Sequence, residues 1–216
     1  FFSGSATTAH AVMQLNAEDC GNRKFIMVQL AEKTDENSEA YKAGYKTIAE
    51  ISKERIRRAG AKIKEENPMF AGDLGFKVFK LDSSNIRVWN PDRHDLEQTL
   101  LDHTEHLIEG RSEEDVLYEL LLKRGVDLTV PIEEKVITEK TVYSIGYGVL
   151  FACLAPAIRR DEVETLSQGI IDWHKELEPA SDTQVVFRDS AFADDIAKTN
   201  ISAILEQHGI SHVRSL

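Results

Sequence analysis

Phe1-Phe2-Ser3-Gly4-Ser5-Ala6-Thr7-Thr8-Ala9-His10-Ala11-Val12-Met13-Gln14-Leu15-Asn16 opens the chain, and a polar stretch leads from it to Phe25-Ile26-Met27-Val28-Gln29-Leu30. Residues 1–5 read as a turn of small residues. Ala9, Val12, Met13 and Leu15 set the apolar positions of a short helix over 7–16. Residues 19–23 form a polar loop, and 25–30 is a continuous apolar run of strand length. Working outward, 35–38 marks another loop, and 41–64 is a long helical stretch with Tyr41, Tyr45, Ile48, Ile56, Ala59 and Ile63 near helical spacing. Pro68 and Gly72 end it, and 76–81 alternates like a strand. Turn, helix, strand, helix, strand is the order of part of a doubly wound α/β sheet.

After Trp89 the texture changes. Asn90-Pro91-Asp92 is a turn, followed by helical stretches over 94–109 and 113–124. Two β-rich runs in 142–154 flank Gly146-Tyr147-Gly148, a hairpin signal. A helix over 161–175, a strand over 184–187 and a helix over 192–208 complete a second α/β unit. The expected organisation is therefore two domains, 1–92 and 93–216.

Composition fits this reading. The 216 residues are 42% hydrophobic and 29% charged, ordinary for a globular protein. No apolar run is long enough to span a bilayer, and no signal peptide opens the chain. Cys20 and Cys153 share no metal or redox spacing, and Cys153 sits in an apolar run as a small buried hydrophobe. A reducing cytoplasm is the expected location. A net charge of −11 argues against this chain gripping nucleic acid by itself, since phosphate contacts need clustered cations. The first residue is Phe, so the chain is expected to be a fragment of a longer protein.

The chemistry-bearing motif is the loop Phe2, Ser3, Gly4, Ser5, Ala6, Thr7 and Thr8. A small-residue turn entering a helix lets a ligand approach the backbone and meet unpaired N–H groups, which suits nucleotide-like cofactors. A capped helix start, with Ser5 or Thr7 as the N-cap, is the competing reading. No lysine follows the small residues, which excludes a Walker loop, and the three-glycine dinucleotide spacing is missing. In doubly wound cofactor sites the end of the next strand meets the ribose hydroxyls. Gln29 stands there, with an amide that both donates and accepts, a polar strand end being its plainer reading; Glu32, three residues on, could supply a carboxylate, with loop surface the preferred reading. A dinucleotide oxidoreductase is disfavoured by Gln29 and by the glycine spacing.

Residues 1–16 closely resemble the S-adenosylmethionine motif of the β-type amino methyltransferases. The match continues through 23–30, Glu54-Arg55-Ile56-Arg57-Arg58-Ala59-Gly60 and Gly75-Phe76-Lys77-Val78-Phe79-Lys80-Leu81-Asp82. Together with Val142-Tyr143-Ser144-Ile145-Gly146 and Phe187-Arg188-Asp189-Ser190-Ala191-Phe192-Ala193-Asp194-Asp195, these resemble the modification subunits of type III restriction–modification systems. The resemblance implies a Rossmann-like methyltransferase sheet, with its first strand missing here, followed by a C-terminal α/β domain. It implies adenine-N6 methylation of DNA, with S-adenosyl-L-methionine bound by Phe2 to Thr8 and Gln29. It also implies that an Asp/Asn-Pro-Pro-aromatic tetrad, which holds the flipped-out adenine, and the DNA-recognition region precede the cofactor motif. No Pro-Pro pair occurs in the sequence, and Asn90-Pro91-Asp92-Arg93 lacks both the second proline and the aromatic. No catalytic residue is therefore expected in this chain. The implied partners are DNA, through the preceding part, a second modification subunit and the restriction nuclease subunit. One departure is Ala6, where the commonest loop of the family has glycine; a methyl there would crowd a cofactor.

Other residues have plainer readings. His103 and His106, beside Asp102 and Glu105, are metal-ligand spaced on a helix, but a solvated charged helix is preferred. Lys53, Arg55, Arg57, Arg58, Lys62 and Lys64 form a basic stretch interspersed with Glu54 and bounded by Glu50, Glu65 and Glu66, a salt-bridged helix face. Asp194 and Asp195 lie where a helix start wants acids. Trp89 and Trp173 read as packing residues. The alternative role for the chain as a whole is a non-catalytic assembly module joining modification and restriction subunits.

Overall fold

Three helices carry the regular structure of the first part of the chain: α1 (Thr7–Asp19), α2 (Glu39–Lys42) and α3 (Ile48–Glu66). The structure, a computed structural model, describes residues 1–87 and 107–216. They fall into two compact units, Phe1–Phe79 and Lys80–Leu216. The expected boundary at Asn90-Pro91-Asp92 lies outside the described residues, as do Trp89, His103, His106 and most of the helix expected over 94–109.

In the first unit, the helix expected over 41–64 is broken at Ala43-Gly44, with Gly44 at φ +96°. Thr47 restarts it through a capping box, its hydroxyl taking the Glu50 N–H while the Glu50 carboxylate takes the Thr47 N–H. The apolar stripe Ile56, Ala59 and Ile63 of α3 packs on Ala6, Ala9 and Met13 of the opening segment. Phe25, Met27, Phe70, Leu74 and Phe76 close that core at its margin.

Residues 25–30 and 76–81, expected as strands, belong to none in the structure. A strand exists only through a ladder with a neighbouring strand, and among the described residues neither segment has one; the bond from the Ser3 N–H to the Val28 carbonyl stands alone. The alternation survives without a ladder. Phe25 and Met27 face the helical core, whereas Ile26 is 90% exposed and Val28 and Leu30 are also exposed. Asn16 ties the start of this segment to α1 by taking the Arg23 N–H at 3.0 Å and donating to the Arg23 carbonyl at 2.9 Å.

The second unit is a five-stranded mixed sheet in the order β1-β2-β3-β4-β5. After α4 (Glu113–Lys123), β1 (Ile132–Ile137), β2 (Lys140–Ile145) and β3 (Leu150–Cys153) form an antiparallel meander. α5 (Val163–Leu177) then crosses to β4 (Gln184–Phe187), and α6 (Asp195–Gln207) to β5 (His212–Ser215), both strands parallel to the one before. Parallel pairing requires such crossovers. Val142, Phe151, Cys153, Val185 and Phe187 point to the face covered by α5 and α6. Tyr143, Leu150, Ala152 and Val186 point to the face covered by α4. Both faces are buried, which is why the central strands read as unbroken apolar runs. Trp173 packs edge-on against Phe151 with ring centroids 5.4 Å apart. Asp194 caps α6 by taking the Ala197 N–H at 2.9 Å. Cys153 is buried, and desolvation pushes its thiol up to about 11, so it stays an inert core residue.

Candidate functional site

Within five residues the opening loop takes the left-handed conformation three times, at Phe2 (φ +53°), Gly4 (φ +55°) and Ala6 (φ +57°). Two of these are not glycine, and each such residue costs about 1–3 kcal/mol unless its surroundings fix it. The loop is held from several sides. The Ser3 N–H donates to the Val28 carbonyl at 3.0 Å, and the Ala6 N–H closes a turn onto the Ser3 carbonyl at 2.9 Å. The Gly4 N–H donates to Oε1 of Gln29 at 2.8 Å, while Nε2 of Gln29 donates to the Leu30 carbonyl at 3.2 Å. The residue expected to meet a ligand is thus brought to the loop and also braces it.

From the other side, α3 reaches the same loop. The buried Ser52 hydroxyl donates to the Gly4 carbonyl, and Nη1 of Arg55 donates to Oγ of Ser5 at 2.7 Å and Oγ1 of Thr7 at 3.1 Å. Neither Ser52 nor Arg55 was distinguishable in the sequence, where Arg55 is one cation in a charged run. Its neighbours do behave as that run suggests: Arg57 and Arg58 pair with Glu54, and Lys62 with Glu66. Among the described residues no carboxylate pairs with Arg55.

The start of α1 is not capped by Ser5 or Thr7. Ala6 occupies the N-cap and makes no side-chain cap, and among the described residues no side chain accepts from the first-turn N–H groups, in contrast to the capping boxes of α3 and α4. Ala6 is fully buried in the α1–α3 core, so its methyl is turned into the protein. At Gly4 an added Cβ would meet nothing within 4 Å, so the backbone there borders open space. The Ser3 hydroxyl is buried with no hydrogen-bond partner among the described residues. Phe2, Thr7 and Thr8 are exposed. A cleft of about 380 Å³ runs beside the loop between α1 and α3, lined by Ser5, His10, Tyr45, Ile51, Glu54, Arg55, Arg58, Ala59 and Lys62.

An uncapped helix start, open space beside a left-handed glycine and a buried hydroxyl with spare bonding capacity suit a polar ligand that approaches backbone. Comparison with known proteins bears on which one. The chain is 55% identical over 80 residues to the Mod subunit of the type III restriction-modification enzyme StyLTI of Salmonella typhimurium, covering 37% of the chain and 12% of that protein. Against the EcoPI Mod subunit of Escherichia phage P1, identity is 32% over 174 residues, 79% of the chain and 26% of the relative. The chain is homologous to type III Mod subunits. The EcoP15I Mod subunit of Escherichia coli matches at 37% over 137 residues, 62% of the chain and 19% of that protein. The chain thus spans about a quarter or less of the Mod subunits it matches. No family model matches it.

Among the described residues no group of three or more His, Cys, Asp or Glu side chains is placed to hold a metal ion. No described helix is long and apolar enough to cross a membrane.

Proposed function

We propose that this chain is the S-adenosyl-L-methionine-binding and C-terminal portion of a site-specific DNA adenine-N6 methyltransferase, the modification component of a type III restriction–modification system. The observation that carries the reading is the loop Phe2 to Thr8, braced by Gln29 at an uncapped helix start, in a chain homologous to Mod subunits. The type II methyltransferase M.KpnI of Klebsiella pneumoniae matches as well, at 41% over 56 residues, 26% of the chain and 13% of that enzyme. S-adenosylmethionine supplies the methyl group; the part assigned to this chain is to hold it. Gly4 leaves room for the ligand against the backbone, the first-turn N–H groups of α1 and the Ser3 hydroxyl offer donors, and Gln29 reaches the ribose side.

The first unit exposes Ile26, Leu30 and Val78, apolar residues on segments whose backbone has no strand partner among the described residues. We take these as faces that join the remaining strands of a Rossmann-like methyltransferase sheet. The adenine-binding tetrad and the DNA-recognition region belong, on this reading, to polypeptide outside the chain, whose own sequence contains no Pro-Pro pair. The second unit has a sheet covered on both faces. We assign it to contact with a second modification subunit and the nuclease subunit, in keeping with relatives that are subunits of larger enzymes.

The test is methyl transfer by the intact protein that contains this segment. With labelled S-adenosylmethionine and mixed-sequence DNA, label should appear on adenine N6 at one recognition sequence. Label on cytosine, or none with cofactor bound, would overturn the substrate assignment.

A further inference from the structure

We infer that Ser52 and Arg55, three residues apart on α3, are positioning residues that keep the cofactor loop open to its ligand. This rests on the S-adenosylmethionine reading of the loop and adds to it. Ser5 and Thr7 carry the two hydroxyls best placed to cap α1, and a one-residue shift of the helix start would let either do so. Both are instead held by one guanidinium nitrogen of Arg55. The N-cap falls to Ala6, which has no side-chain acceptor. Arg55 therefore stops the helix from satisfying its own first-turn N–H groups and leaves them for a ligand. A cation opposes the dipole at a helix N-terminus, and among the described residues no carboxylate offsets Arg55, so this placement is poor as a device for stability alone.

Ser52 acts on the backbone. Its hydroxyl donates to the Gly4 carbonyl, and because the peptide is planar and trans, the Ser5 N–H must point the opposite way, away from α3. The Ile48 carbonyl lies 3.0 Å from the same hydroxyl. One hydroxyl has one proton, so the bond to Gly4 competes with ordinary helix back-bonding. With Gln29 on the Gly4 N–H, the peptides on both sides of Gly4 are oriented.

The intact methyltransferase that contains this segment is compared as wild type, Ser52→Ala, Arg55→Met, and Arg55→Met combined with Ser5→Ala and Thr7→Val. Cofactor affinity, melting temperature and hydrogen exchange of the first-turn amides of α1 in the free protein are measured. Arg55→Met should weaken S-adenosylmethionine binding by about 5- to 10-fold, the worth of one recovered cap. Its melting temperature should not fall, and the first-turn amides should exchange more slowly. The triple variant should regain binding and lose the extra protection, and Ser52→Ala should weaken binding by a few-fold. A binding loss in Arg55→Met that tracks a lower melting temperature and is not recovered in the triple variant overturns the inference. So does unchanged first-turn exchange in Arg55→Met. A wild type that takes up no S-adenosylmethionine sinks the cofactor reading itself, a result distinguishable because exchange is read without ligand.

Discussion

Removing the Gln29 side chain beyond Cβ takes two hydrogen bonds from the site, and they differ in consequence. The Gly4 N–H is part-buried and donates to Oε1 at 2.8 Å, whereas the bond from Nε2 to the Leu30 carbonyl at 3.2 Å is exposed, so water replaces it readily. A single hydrogen bond of this kind contributes about 0.5–1.5 kcal/mol. If the loss falls on the ligand-competent loop, Gln29→Ala weakens S-adenosylmethionine binding by about 2- to 13-fold. Gln29→Glu separates bracing from direct contact. A carboxylate still accepts from Gly4, more strongly than an amide, but sets an oxygen against the Leu30 carbonyl. The brace should therefore survive, and affinity should stay within about threefold of wild type. Calorimetric titration of the intact enzyme, alongside thermal unfolding to show that each variant is folded, reads both effects. Unchanged affinity in Gln29→Ala would refute the bracing argument; a loss above about 100-fold would mean far more than one hydrogen bond is at stake.

Other outcomes follow from the second unit and from the sequence. At Gly169 in α5 an added Cβ would lie 2.5 Å from Cγ2 of Ile137 on β1, so Gly169→Ala should cost a net of about 1–2 kcal/mol in a denaturant melt despite the better helix former; no loss would contradict the close approach. Burial acts to raise the Glu119 carboxyl, but Lys123, the Ser84 hydroxyl and the Asn85 N–H outweigh it and hold it at about 2. A carboxyl depressed in the folded state adds stability above its ordinary value of 4.5 and loses it as pH falls toward about 2. Acid melts of the chain should show that loss, and Glu119→Gln should flatten it. The 216-residue chain alone should leave DNA unlabelled when incubated with labelled S-adenosylmethionine; transfer above a heat-killed control would show that catalysis needs no tetrad.

Some local signals of burial and capping are legible in the sequence, while the Thr47–Glu50 capping box that restarts the helix expected over 41–64 is not separated from that run. Strand 184–187, the hairpin about Gly146-Tyr147-Gly148 and the capping aspartate at 194 all fall where expected. β1 is hard to see in the sequence because Ile132-Glu133-Glu134-Lys135-Val136-Ile137 is an edge strand carrying exposed charges, and β5 because His212–Ser215 is short and largely exposed. Residues 25–30 and 76–81 have strand pattern without a strand ladder among the described residues, since pairing depends on a neighbour that local sequence does not contain. In the candidate site, the loop and Gln29 were visible through motif and position. Ser52 and Arg55 were not, because their importance comes from α3 crossing α1, 48 or 50 residues away in sequence.

The central claim, that the Phe2–Thr8 loop is where the cofactor binds, is tested most directly by Gly4→Asp in the intact enzyme. Nothing lies within 4 Å of a Cβ at Gly4, so the fold has room for the side chain and bears mainly the left-handed backbone strain of about 1–2 kcal/mol. The carboxylate would project into the space assigned to the ligand. Calorimetry should find S-adenosylmethionine bound by the wild type and not by Gly4→Asp, with both proteins folded; equal binding by the two would place the cofactor somewhere other than this loop.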